Sequence, residues 1–165
     1  MSDCCSPDSG AACALPQSKP GICPLCGSKG KSVSTLTVKS LARNHTKVVT
    51  PATYSFCRHP DCAAVYFSDE IVFTKKDVKV RVGIKERENP VPVCYCFGYT
   101  RQDIRRDMET HGQTGIPARI KAEVQGGFCA CEVKNPSGAC CLGDITRAVQ
   151  EIRAETPEKA SATVR

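Results

Sequence analysis

Thirteen of the 165 residues are cysteines, and their spacing is what could do chemistry in this sequence. Cys94-Tyr95-Cys96 places two thiols one residue apart. A disulfide closed over so short a loop would strain the S–S torsion, whereas both sulfurs can face one metal centre. A second group arrives some thirty-five residues later: Cys129 and Cys131, then Cys140-Cys141 beyond Asn135-Pro136-Ser137-Gly138. Four thiolates gathered from two loops around a helical hairpin are what a [2Fe–2S] cluster needs. The spacing gives Cys94 and Cys96 as one half of the set. It leaves open which of Cys129 or Cys131 joins which of Cys140 or Cys141.

An earlier set has a different character. Cys23-Pro24-Leu25-Cys26-Gly27 is a CxxCG knuckle, and Phe56-Cys57-Arg58-His59-Pro60-Asp61-Cys62 supplies a second thiol pair. Two such pairs around a strand-like segment predict a closed, structural Zn(Cys)4 site. Four thiolates leave no open coordination position, so no catalytic role follows. The wider second spacing leaves His59 or Asp61 as an alternative to one sulfur. Cys4, Cys5 and Cys13 form a third group in a small, turn-prone leader. Thiolates are the preferred ligands of soft ions, so this arm suits capture of Cu(I) or Hg(II).

The elements that must position these groups read as follows. Val33–Val38, Val48–Phe56, Ala64–Phe67, Ile71–Phe73 and the alternating Val78–Val82 are expected as strands of a small antiparallel sheet. Tyr66, Phe67 and Phe73 are expected to pack in it rather than to stack on bases. His45 and His111 are expected at the surface. Lys85 to Pro92 is charged and proline-bounded, with no room for a helix or central strand, and marks a boundary. Thr100 is expected to cap a helix, with Asp103 at its third position, running to about His111 and stopping at Gly112. A second helix is expected from near Pro117 to Gly126-Gly127, and a third from Asp144 through Ile145, Ala148, Val149 and Ile152. Helix N-termini next to Cys96 and Cys141 favour an anionic cluster. The expected fold class is α+β: a zinc-ribbon-like β domain over residues 21–90, then a small helical [2Fe–2S] domain over 91–154. A cysteine-bearing tail (1–20) and a charged tail (155–165) flank them.

Composition supports metal rather than disulfide chemistry. Aromatics make up 5% and tryptophan is absent, so sulfur–metal bonds are expected to replace missing apolar burial. An odd cysteine count fits a closed disulfide framework poorly, and the N-terminus shows no basic flank or apolar run of an export signal. A cytoplasmic location is therefore expected. The formal charge of +6 counts every thiol as neutral. Two dianionic metal centres would bring it to roughly +2, which disfavours a nucleic-acid binder. No nucleophile with a paired base, no carboxylate pair and no phosphate loop is present, so no enzyme is expected.

Val93-Cys94-Tyr95-Cys96, the capped helix after it and Asn135-Pro136-Ser137-Gly138-Ala139-Cys140-Cys141 resemble the bacterioferritin-associated-ferredoxin-like [2Fe–2S] domain. From about Gly21 to about Ile152 the chain resembles the N-terminal zinc and [2Fe–2S] domain of the CopZ-type iron–sulfur copper chaperones. Val65-Tyr66-Phe67 and Arg81-Val82-Gly83-Ile84-Lys85-Glu86-Arg87-Glu88 carry the likeness alongside the cysteines. The resemblance implies cluster ligation by Cys94, Cys96, Cys131 and Cys141, and zinc ligation by Cys23, Cys26, Cys57 and Cys62. The family's small α/β copper-carrying domain has no counterpart within these 165 residues. The Cys4/Cys5/Cys13 arm or a separate partner would then carry the metal. The expected function is a metallochaperone-like protein that handles copper or mercury with one-electron redox by the cluster. Its expected partners are a metal-transport or metal-binding protein and an electron donor. A ferredoxin-type carrier or a cluster-based redox sensor is the alternative.

Overall fold

The computed structural model describes residues 21–155. Four short strands form one antiparallel sheet in chain order: β1 (Lys31–Val33), β2 (Tyr54–Phe56), β3 (Ala64–Phe67) and β4 (Val72–Thr74). Lys31 pairs with Phe56, Phe56 with Tyr66, and Tyr66 with Phe73. Tyr66, Phe67 and Phe73 are all buried, as packing residues rather than a stacking platform. His45 and His111 are exposed, as expected.

Two expected strands are absent. Of the segment Val33–Val38 only Val33, the last residue of β1, is strand, and helix α1 (Thr35–Leu41) follows. Ser34 is the reason: its hydroxyl accepts from the Thr37 N–H at 3.1 Å and caps the helix. Thr37, Val38 and Leu41 then share one buried face, a helical spacing that the run of β-branched residues obscures. Val78–Val82 keeps the burial alternation of a strand, with Lys79 and Arg81 outward, but forms no ladder. Only Val78 bridges, to Ala42, through bonds from the Arg43 N–H to the Asp77 carbonyl and from the Lys79 N–H to the Leu41 carbonyl. Val48–Phe56 is strand only over its last three residues.

The second part is helical. Helix α2 (Arg101–His111) has the capping box anticipated from Thr100 and Asp103 and ends at Gly112 with φ +73°. Helix α3 (Ile116–Gln125) starts with Pro117 in its first turn. A short helix α4 (Cys131–Lys134) precedes α5 (Leu142–Glu155). Ile104, Ile116, Ile120, Ile145, Ala148 and Ile152 form the apolar centre, and Cys94 and Cys141 are buried in the same cluster. The sheet and α1 bury their own cluster around Val38, Tyr54, Val65 and Tyr66.

Contacts join the two parts. Tyr66 Oη donates to the Pro136 carbonyl at 2.8 Å, Lys31 Nζ to the Ser137 carbonyl at 3.1 Å, and Ser34 Oγ to Glu132 at 3.2 Å. Tyr95 Oη accepts from the Gly83 N–H at 2.8 Å and donates to the Arg81 carbonyl at 3.0 Å. Among the described residues, no helix is long and apolar enough to cross a membrane.

Candidate metal centres

Both knuckles of the first centre are backbone devices. The Gly27 N–H reaches the Cys23 carbonyl at 2.8 Å and the Cys23 N–H reaches the Ser28 carbonyl at 2.9 Å, with Gly27 at φ +70°. This tight turn aims Cys23 and Cys26 at one point, and glycine accommodates the left-handed position without strain. Cys57 sits at the end of β2, its N–H held by the Val65 carbonyl at 2.9 Å. The Cys62 N–H closes onto the His59 carbonyl at 3.2 Å.

The four sulfurs converge. Cys23 Sγ lies 3.8 Å from Cys62 Sγ, and Cys26 Sγ lies 3.6 Å from Cys57 Sγ. All four lie within 4.8 Å of one another, the one such group of His, Cys, Asp or Glu among the described residues. Tetrahedral ligation at Zn–S distances of about 2.3 Å puts sulfurs about 3.8 Å apart, so the donor set fits the ion. His59 is exposed, and Asp61 pairs with Arg87 at the surface. Burial opposes ionisation of Cys26, yet hydrogen bonds from Ser28, Cys23 and Cys57 bring its thiol down to about 6. Burial pushes the Cys57 thiol up to about 12, against a hydrogen bond from the His59 backbone.

The second set is arranged as two pairs rather than one tetrahedron. Cys96 Sγ lies 3.5 Å from Cys131 Sγ, and buried Cys94 and Cys141 are near enough for each thiol to shift the other's ionisation. The loop from Cys94 to Tyr99 is a turn whose Tyr99 carbonyl accepts from the Val93 N–H at 2.9 Å and the Cys94 N–H at 3.0 Å. Gly98, at φ +74°, closes it. The other loop is shaped by buried Asn135. Its side chain donates to the Ala139 carbonyl at 2.7 Å and accepts from the Ser137 N–H at 3.0 Å. Cys131 opens α4, and the Cys141 carbonyl accepts from the Ile145 N–H at 2.9 Å, at the start of α5.

The neighbouring Cys141 thiol, then the Phe97 and Cys96 backbone, bring the Cys94 thiol down to about 6 against its burial. Cys141 is pushed far up by the neighbouring Cys94 thiol and by burial, and burial raises Cys131 to about 12. In the Cys94–Cys141 pair one thiol is pulled down and the other pushed up, so metal binding there displaces a proton. The Ala130 N–H also points at Cys96 Sγ at 3.3 Å. Two sulfur pairs with an amide donor are a donor set that suits a [2Fe–2S] group, two thiolates per iron. Cys140 is exposed and Cys129 half-buried, and both are free. Cys4, Cys5 and Cys13 lie outside the described residues.

Residues 20–79, the stretch holding the first centre, match the family model of a CopZ zinc binding domain. The chain is 35% identical to a solved structure, the N-terminal domain of CopZ from Archaeoglobus fulgidus. That match has a TM-score of 0.64 and covers 76% of this chain and 95% of the other. The chain carries a CopZ-type N-terminal domain. It is also 37% identical over 125 residues to the copper chaperone CopZ of the same organism. It spans 60% of that relative's length, and the match takes up 76% of this chain.

Sequence reasoning missed two residues of the CopZ-type domain that support the sites. Lys85 is buried, with Nζ donating to the His59 carbonyl at 2.7 Å and the Cys62 carbonyl at 3.1 Å. Tyr95 bonds the Gly83 N–H and the Arg81 carbonyl. Both residues stand in segments that carry the family likeness, but a lysine in a charged run and a residue between two ligands give no signal of these contacts.

Proposed function

We propose that this protein is a metallochaperone-like carrier, holding zinc on Cys23, Cys26, Cys57 and Cys62 and a [2Fe–2S] cluster on Cys94, Cys96, Cys131 and Cys141. The observation that carries the cluster reading is the pairing of sulfurs from two distant loops, Cys96 with Cys131 and Cys94 with Cys141. The similarity to a protein named as a copper chaperone supports copper as the cargo. When bound, the cluster supplies one-electron transfer, which suits keeping copper as Cu(I). The protein's own residues orient the four thiols, seal Cys94 and Cys141 from water and leave Cys96 half-exposed. Zinc plays a structural part, because four thiolates saturate it. The chain acts as a carrier and not as a catalyst, with a metal-accepting protein and an electron donor as partners. Ten free thiols among the described residues fit a reducing, cytoplasmic setting.

Anaerobic purification followed by metal and sulfide analysis tests the reading. About two irons, two sulfides and one zinc per chain are expected. A colourless chain without iron rejects the cluster. Removal of residues 1–20 tests the soft-metal arm: tight Cu(I) binding should be lost while the visible spectrum stays. Full Cu(I) uptake by the truncated chain rejects the arm.

A further inference from the structure

We propose that Lys85 is the counter-charge of the four-cysteine centre, a positioning residue that holds the Cys57–Cys62 knuckle closed around its ion. The proposal rests on the reading of Cys23, Cys26, Cys57 and Cys62 as a zinc tetrathiolate.

Lys85 ends the 3-10 turn Gly83–Lys85 and is 4% exposed. Its Nζ enters the loop between Cys57 and Cys62, bonding the His59 carbonyl at 2.7 Å and the Cys62 carbonyl at 3.1 Å. Two neutral carbonyls satisfy N–H donors but bring no negative charge. A buried ammonium without an anion is strongly unfavourable. The neighbouring carboxylates are engaged elsewhere: Glu86 pairs with Lys75 at 3.1 Å and Arg81 at 2.8 Å, and Asp61 pairs with Arg87. The anion at hand is the site itself, because four thiolates around Zn2+ leave a formal charge of −2.

The backbone keeps the ammonium in place. The Lys85 N–H donates to the Val82 carbonyl at 2.7 Å, and the Lys85 carbonyl accepts from Lys75 Nζ at 3.2 Å. Lysine suits the position, as a point charge on a long stem that crosses from the connection after Val82 to the far side of the knuckle. Charge and hydrogen bonds thus act together: the bonds fix the loop that carries two ligands, and the charge offsets the dianion. Outer groups of this kind change metal affinity by about 10–100-fold.

Zinc release from the full chain to a chromophoric chelator provides the test, with circular dichroism confirming the fold. Lys85→Gln keeps a donor for the two carbonyls but removes the charge. It is expected to release zinc at least about tenfold faster than wild type. Lys85→Arg keeps the charge and is expected to release zinc more slowly than Lys85→Gln. A folded Gln variant with the wild-type rate shows that only carbonyl capping matters and overturns the proposal. Where the Gln variant does not fold, the arginine variant decides: folded but losing zinc tenfold faster, it overturns the proposal as well. A wild-type chain that purifies without zinc overturns the tetrathiolate reading, and this proposal with it.

Discussion

Tyr66 on β3 donates its hydroxyl hydrogen to the carbonyl of Pro136, 2.8 Å away and seventy residues on. The ring is fully buried in the sheet's core, and burial holds the phenol well above its usual range, so it remains a donor at every physiological pH. Pro136 lies in the turn between Cys131 and Cys141. The sheet therefore holds one of the two loops that bring thiols together.

Tyr66→Phe removes that bond and leaves a buried carbonyl without it. The expected loss is about 1–3 kcal/mol, read by urea denaturation of the zinc-loaded chain. Zinc content should stay at the wild-type level while iron content falls. An equal fall in both metals would mean that the substitution damages the sheet rather than the loop.

Gly138 closes the same turn at φ +63°, and a Cβ there would stand 2.9 Å from Thr37 Oγ1. Gly138→Ala is expected to cost about 1–3 kcal/mol from backbone strain, with the contact added to it. Thr37 is fully buried and bonded to Ser34, so Thr37→Ala has its own cost; Gly138→Ala should therefore cost less when added to Thr37→Ala than when added to wild type. A glycine variant with an unchanged melting temperature would contradict this.

The helical half was largely legible in advance, because its signals are local. Thr100, Asp103, Gly112 and Pro117 state where helices begin and end whatever surrounds them. The sheet half was less legible. Thr35–Leu41 is rich in β-branched residues and reads as strand, but the Ser34 cap and the packing of Thr37 against the distant Gly138 turn make it helix. Val78–Val82 shows which side chains are inward yet cannot show that no neighbouring strand is available. The thiols were legible as groups. Preferring Cys131 to Cys129 and Cys141 to Cys140 as ligands came from a resemblance; in the structure Cys131 and Cys141 are buried, Cys129 half-buried and Cys140 exposed.

Thr100→Ala tests the α2 cap, in which the Thr100 hydroxyl accepts from the Asp103 N–H at 3.2 Å. A loss of about 1 kcal/mol is expected from thermal or urea unfolding. Because the cap follows Cys96 by four residues, cluster retention in air should shorten as well.

Cysteine variants separate ligands from spectators. Cys141→Ser and Cys131→Ser should abolish the visible absorption, while Cys140→Ser and Cys129→Ser retain it. Loss of colour in Cys140→Ser with retention in Cys141→Ser would reassign the ligand.

Zinc uptake should release protons in a pH-dependent number. The Cys57 thiol, at about 12, and the Cys62 thiol, also raised by burial, both carry protons at pH 7.5, whereas Cys26, at about 6, does not. Below pH 6 Cys26 becomes protonated too. Zinc affinity then falls more steeply with acidification, because the slope of log K against pH equals the number of protons released. Calorimetry in buffers of different ionisation enthalpy should find about one more proton released at pH 5 than at pH 7.5.

Thr37 against Gly138, Lys31 on Ser137 and Tyr95 between Arg81 and Gly83 form a seam that neither half finishes alone. Anyone transplanting the helical portion by itself would have to take the sheet with it. A fragment starting at Val91 would present the torn seam to its neighbours and invite self-association.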